Sequence, residues 1–426
     1  MRRIPEWIVG LILIALNASA EEMPLHGFVQ ANYSVRAAKT DTALKEMGAY
    51  EKDVILGEER AQLELSQFSG TADAGFSAKL DLYRDAISGR TNLDIREAYL
   101  SLSLGKFDFR VGRQIMTWGL GDLVFINDPF PKDWVALLSG QPLQYLKIGS
   151  DALNVRFHPG FLDVQAILMP FFEPDNLPTG ERLFYFNPLL PYVESTETRK
   201  PEPRFEHFEL AGRLYRTLWR LDLSLYGYRG FYRTPGMQFD PSVGKLTLFY
   251  PELGVYGASV QGGLLGGVFS LEGGYYDSIE DRDGDHPSIE NAQVKLLTGY
   301  QRAFGADLTV GVQYYGEAML NYEEYEESLE PMRMLLPDFP KREQVRHNLT
   351  FRMMRFFNYQ TLRLSLFAWG SPNDEDYYVN PEVRYSFTDE MWVALGGSVF
   401  GGTEDYTFFG QFDRNDNVYA TVRYGF

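Results

Sequence analysis

At 426 residues the chain is long enough for two or three soluble domains or for one large all-β domain. Its formal net charge of −18 argues against nucleic acid as a partner, because phosphate binding needs clustered cations. The absence of cysteine removes disulfide frameworks, thiolate metal sites, cysteine nucleophiles and haem attachment through cysteine.

The chain opens with the signature of a cleaved signal peptide, expected to cover residues 1–20. Arg2 and Arg3 precede an apolar run from Trp7 to Leu16, and Ala18-Ser19-Ala20 supplies the small-x-small cleavage pattern. At a rise of ~1.5 Å per residue that run spans about half a bilayer core. No later stretch has the ~18 unbroken apolar residues of a spanning helix.

The remainder, residues 21–426, alternates between apolar and polar side chains in runs of about ten. In the run from Phe28, Val29, Ala31, Tyr33 and Val35 share one face, and Gln30, Asn32, Ser34 and Arg36 share the other. Glu58 to Ser66 and Phe76 to Tyr83 repeat the pattern. So do the runs carrying Leu100, Leu223, Val310 and Leu364, and the last run, Val418 to Phe426. A period of two is that of a β-strand with one apolar and one polar face. A soluble sandwich would alternate too, but these runs exceed the ~5–6 residues of soluble strands and match a tilted membrane crossing. Their polar faces carry many charges. Aromatic pairs near the run ends, such as Tyr377 and Tyr378 or Phe408 and Phe409, suit an interfacial girdle.

Strands are expected near 25–36, 55–68, 74–84, 94–104, 107–116, 150–158, 161–170, 205–217, 219–230, 247–261, 267–277, 289–302, 305–317, 343–356, 359–369, 377–387, 391–400 and 415–426. The fold class is therefore all-β: a transmembrane antiparallel barrel of about 18 strands (16–18). Short turns, expected at the periplasmic end, alternate with long loops, expected outside the cell. A closed ring leaves no backbone group unpaired in lipid, and at this width it leaves a channel.

Three loops stand out. The third long loop, from Thr117 to Gly149, is unusually apolar for a surface segment, with Trp118, Phe125, Ile126, Phe130, Trp134 and Leu138 among its residues. It is expected to fold into the barrel as a constriction, with Asp122, Asp128, Lys132 and Asp133 on the water path and Arg110 and Arg156 on the wall beside it. The alternative is packing at a subunit contact or over the barrel top. The fourth, Phe171 to Arg204, is rich in proline and reads as a cap. The seventh, Asn321 to Lys341, clusters Glu323, Glu324, Glu326, Glu327 and Glu330; a solvated loop is expected over a divalent-cation site shared with lipopolysaccharide. The lumen wall is assigned Arg60, Lys79, Asp81, Arg96, Glu97, Arg213, Arg220, Arg352, Arg363 and Arg384, mixed in sign and without a decisive ion preference.

The closing Tyr424-Gly425-Phe426 looks like the assembly signal read by the barrel insertion machinery, carried by Tyr424 and Phe426. Gly112-Arg113-Gln114, Trp118-Gly119 and Asn127-Asp128-Pro129 together resemble a stretch in porin-like proteins of the alginate-export and related uncharacterised families. That resemblance implies passive or substrate-preferring diffusion and admits a homotrimer. The chain has no obvious N-terminal coiled coil of the kind some sugar- and phosphate-selective porins carry. The expected function is an outer-membrane porin for small solutes, with lipid and lipopolysaccharide around it. It has no catalytic residues, metal or cofactor, since none of the five histidines lies in a hydrolase motif. The rivals are a transporter for a hydrophobic substrate and a barrel that sheathes a partner complex.

Overall fold

A computed structural model describes residues 25–37, 53–69, 73–180 and 182–426; the expected leader, 1–20, lies outside them. Alternation becomes strand wherever it was expected. The order is β1 (Leu25–Arg36), β2 (Val54–Ser69), β3 (Ala74–Asp85), β4 (Arg90–Leu104), β5 (Phe107–Gln114), β6 (Ser150–Phe157) and β7 (Asp163–Met169). A short β8 (Ser195–Arg199) precedes β9 (Glu209–Leu218) and β10 (Leu221–Phe231), and β11 (Gly236–Asp240) and β12 (Lys245–Phe249) follow. Then come β13 (Glu252–Leu264), β14 (Gly267–Ser278), β15 (Gln293–Phe304), β16 (Leu308–Met319), β17 (Val345–Phe357), β18 (Leu362–Ser371), β19 (Asp376–Ser386), β20 (Met391–Gly402) and β21 (Asn417–Gly425).

Eighteen of these pair antiparallel with their neighbours in a single sheet, and β1 pairs with both β2 and β21, so the sheet closes on itself. The seam runs from Phe28 opposite Gly425 to Arg36 opposite Asn417. Gly27 and Phe426 extend it by exchanging backbone hydrogen bonds at 3.0 Å. With every strand paired on both sides, no sheet edge faces lipid, where an unsatisfied backbone group costs several kcal/mol. Val29, Leu225, Leu296, Leu395 and Val422 are exposed on the outer face. Gln30, Asn32, Gln62, Ser224 and Thr421 are buried on the inner one.

Tight turns join the strands at one end. Trp219 and Arg220 connect β9 to β10 with φ of +48° and +73°, a pair of left-handed residues whose twist matches that of the flanking strands. Arg220, expected on the lumen wall, therefore sits in an exposed turn; the crossing starts at Leu221 rather than at residue 219.

The opposite end carries the long connections, but the expected alternation of lengths is incomplete. Strands extend beyond their apolar cores, so β3–β4 and β18–β19 are joined there by only four residues each, 86–89 and 372–375. Three loops expected to be irregular contain regular structure. β8 pairs parallel with β12, which pairs with β11, in a small sheet separate from the barrel. The acidic seventh loop forms a helix, Tyr322–Leu335, because its glutamates are good helix formers and Glu323 and Glu324 lie in the first turn, favourably placed against the helix dipole. No group of three metal-capable side chains converges among the described residues.

Candidate functional site: a loop across the barrel

The connection between β5 and β6, residues 115–149, lies inside the barrel, because its partners are inward-facing side chains on opposite walls. On one side, Glu272 of β14 accepts from the backbone N–H of Leu120 (2.6 Å) and of Asn127 (2.9 Å) and from the Asn127 amide (2.9 Å). Gln313 of β16 accepts from the Asp122 N–H at 3.0 Å, and Arg352 of β17 binds the Asp122 carboxylate at 2.8 and 2.9 Å. Tyr276 of β14 donates to the Ile126 carbonyl at 2.6 Å. On the other side, Asn417 of β21 donates to the Leu138 carbonyl (3.1 Å) and Arg96 of β4 to that of Gln144 (2.7 Å).

Glycine makes the close approach possible. Gly257 and Gly274 are paired on the inner face of β13 and β14. A Cβ on the first would lie 1.9 Å from Asn127 Oδ1, and one on the second 2.6 Å from an Ile126 methyl. The apolar loop residues bury as their composition requires. Trp118, Val124, Ile126 and Phe130 pack with Ile167, Tyr226, Val255, Tyr276 and Leu297 of the wall. The Trp118 ring meets Phe130 edge-on at 5.1 Å and donates its N–H to Gln165 at 3.1 Å.

The charged loop residues are placed differently from expectation. Asp122 is partly exposed beside Arg352, whereas Asp128 and Lys132 are buried at 3 and 5 % exposure. The Lys132 ammonium donates to the carbonyls of Asp128 (2.8 Å) and Phe130 (2.7 Å), and burial pushes its pKa down against the attraction of Asp128. Asp133 caps the short helix Trp134–Leu138 by accepting from the Ala136 N–H at 2.8 Å, and burial raises its carboxyl. All three make bonds within the loop, and so hold its shape. Arg110 and Arg156 point inward but not at the loop. Arg110 lies over Tyr99, and Arg156 sits opposite Asp108 and Gln165, one residue from the end of β6 at the short turns.

The wall assignments other than Arg220 face the lumen. Arg60 pairs with Glu58 (2.7 Å) and with Asp81, and Lys79 lies between Glu64 (3.7 Å) and Glu97 (3.5 Å). Arg96 and Glu97, though adjacent, both reach inward because a bulge interrupts the β3–β4 register there. Arg213 donates to Ser224 at 3.0 Å, and Arg363 pairs with Glu382 at 2.6 Å. Arg384 lies 4.1 Å over Trp392. Arg423 was not singled out in the sequence, although its place in the final alternation pointed inward. It donates to Gln30 at 2.9 Å and stacks on Phe28 at 3.9 Å. Arg423, Gln30, Arg60 and Tyr83 form one row across β21, β1, β2 and β3.

Other loops fold down as well. Phe409 and Phe412 enter an internal cluster with Leu138, Leu183, Phe367, Tyr378 and Phe400. The expectation that Tyr378 and Phe409 belong to an interfacial girdle is thus overturned: they are buried at 2 and 3 % exposure, while Tyr377 faces outward. The proline-rich fourth loop caps the third. Asp175 accepts from the Lys132 N–H and from the Trp134 indole, both at 2.8 Å. Arg233, bound to Glu209 at 2.5 Å, donates to the Pro129 carbonyl at 2.7 Å. Between the third loop and the wall from β10 to β18 a cavity of about 260 Å³ remains.

No protein-family model and no curated protein sequence matches the chain. Three solved structures, all from Pseudomonas aeruginosa, share its architecture. OccK3 (OpdO) superposes with a TM-score of 0.55 at 11 % identity, covering 98 % of this chain and 99 % of its own. OccK5 (OpdH) gives 0.53 at 11 % identity over 95 and 98 %, and OccK11 (OpdR) 0.51 at 9 % over 94 and 95 %. At such identities the likeness is one of fold, and the fold is a closed, 18-stranded transmembrane β-barrel of the porin kind.

Proposed function

We propose that the protein is an outer-membrane channel for diffusion of small solutes, with the third loop as its constriction. The observation that carries this reading is the crossing of the lumen by residues 115–149, held by Glu272 and Arg352 on one wall and by Arg96 and Asn417 on the other. A ring of this size is too wide for its own side chains to fill. A segment across it sets the passage, and charge on the inner face keeps that passage wet. The short turns then face the periplasm and the long loops the exterior. Export through the leader at 1–20, insertion guided by Tyr424 and Phe426, contact with lipopolysaccharide and assembly as a homotrimer belong to the same reading. So does the motif likeness to alginate-export porins.

Purified protein in planar bilayers tests it. Discrete conductance steps are expected, and removing Asp122 to Trp134 should enlarge them. A folded barrel that stays silent, or a deletion that leaves the steps unchanged, refutes the channel or the constriction respectively. Transport of a hydrophobic substrate is a second reading, favoured by the two apolar clusters between loops and wall. Liposome uptake of fatty acids without swelling by polar solutes would select it.

A further inference from the structure

We propose that the cavity between the third loop and the β10–β18 wall binds a neutral cyclic sugar, one ring at a time. This rests on the channel reading and names the solute class for it. The cavity holds about 260 Å³, at the small end for ligand sites, which suits a single ring.

Its cations disfavour an anionic ligand. Each lysine and arginine that lines it already holds a carboxylate: Lys132 with Asp128 (3.6 Å), Arg233 with Glu209 (2.5 Å), Lys295 with Glu317 (3.2 Å) and Arg346 with Asp374 (2.7 Å). An anion could gain one of these cations only by stripping it from its partner and leaving a poorly solvated carboxylate behind, which is unfavourable. A neutral hydroxyl needs no such exchange. Each carboxylate has about four lone-pair positions, so one that binds a cation can still accept from a sugar O–H.

The other half of the lining is aromatic. Phe125 meets Trp134 at 6.1 Å, Trp134 meets Phe408 at 5.9 Å, and Phe408 meets Trp369 at 6.3 Å. Ring faces carry negative quadrupole charge and attract the weakly positive C–H bonds on the flat side of a pyranose. A lining of aromatic rings, open acceptor positions and cations already paired therefore fits a ligand that is apolar on one face, rich in hydroxyls at its rim and without negative charge.

The test uses the full protein in detergent and in planar bilayers, with glucose, maltose, sodium benzoate and glycine betaine as probes. Trp134 and Trp369 line the cavity and report through intrinsic fluorescence. Saturable changes with glucose and maltose are expected, together with sugar-dependent interruptions of the current. Both should be the same at about 0.1 M and about 1 M KCl, because binding of a neutral ligand is not screened. Phe408→Ala should weaken sugar affinity roughly tenfold. Should that variant misfold, Phe408→Leu, which removes the ring at a smaller loss of volume, serves in its place. Conductance without any sugar response overturns this inference and spares the channel. Salt-sensitive binding of benzoate or betaine in place of sugar also overturns it. Sugar binding by a barrel that never conducts overturns the channel reading instead.

Discussion

Replacing Glu272 with alanine tests how firmly the third loop is held. The side chain is 1 % exposed and its carboxylate accepts from two backbone N–H groups and one amide of the loop. Each buried donor left without an acceptor costs about 1–3 kcal/mol, so even if a water satisfies part of the loss the docked loop is destabilised by about 3 kcal/mol. That is roughly a hundredfold change in the ratio of open to docked loop. Release should be partial, because Arg352, Tyr276 and Arg233 still hold Asp122, Ile126 and Pro129. Single-channel recording should show frequent excursions to a larger conductance, with the melting temperature of the barrel unaltered. Glu272→Gln keeps one acceptor oxygen and should flicker less. If the alanine channel is as quiet and as narrow as the parent, the carboxylate does not hold the loop and the tethering argument fails.

Two further outcomes follow from the wall and the turns. Leu395 is 59 % exposed on the outer face of β20; Leu395→Arg should destabilise the barrel in liposomes by roughly 2–4 kcal/mol, whereas the inward Gln301→Arg should cost little. Equal urea midpoints for the two would reverse the assignment of faces. In the turn after β6, His158 hydrogen-bonds Asp163 at 2.6 Å and Asp108 at 3.2 Å, and the Asp163 bond first of all raises its pKa above the ordinary value. Its stabilising effect is full below about pH 6.5 and fades as pH rises through the raised value. The difference in melting temperature between wild type and His158→Gln should thus shrink in alkali; a difference that grows would refute the sign.

The crossings were legible because lipid imposes one rule on every strand, and the rule acts on residues two apart. What escaped depends on contacts between distant parts of the chain. Asn127 and Glu272 are far apart in sequence, and nothing local to either names the other. Asp128, Lys132 and Asp133 read as water-facing because they are charged; that the loop spends them on its own carbonyls, its own helix cap and its own ion pair is visible only once it is folded. Phe408 and Phe409 had the composition of a girdle, but a loop that turns inward takes its aromatics with it. The glutamate run read as solvated loop and is solvated helix, an outcome its propensities allowed. Arg96 and Glu97, neighbours both expected on the wall, share a face only through a bulge that period-two counting does not supply.

The seam between β1 and β21 bears on how such a molecule can be made. Residue 28 must find residue 425, and confining so long a stretch costs about 5 kcal/mol of chain entropy before any pairing at the seam offsets it. Until then the sheet is a curled ribbon with two bare margins, unfit for oil and ready to recruit a second molecule. Entry into the bilayer and closure of the cylinder are therefore best accomplished together. A chain trimmed of its last ten residues should accumulate as aggregate rather than as a narrower pore.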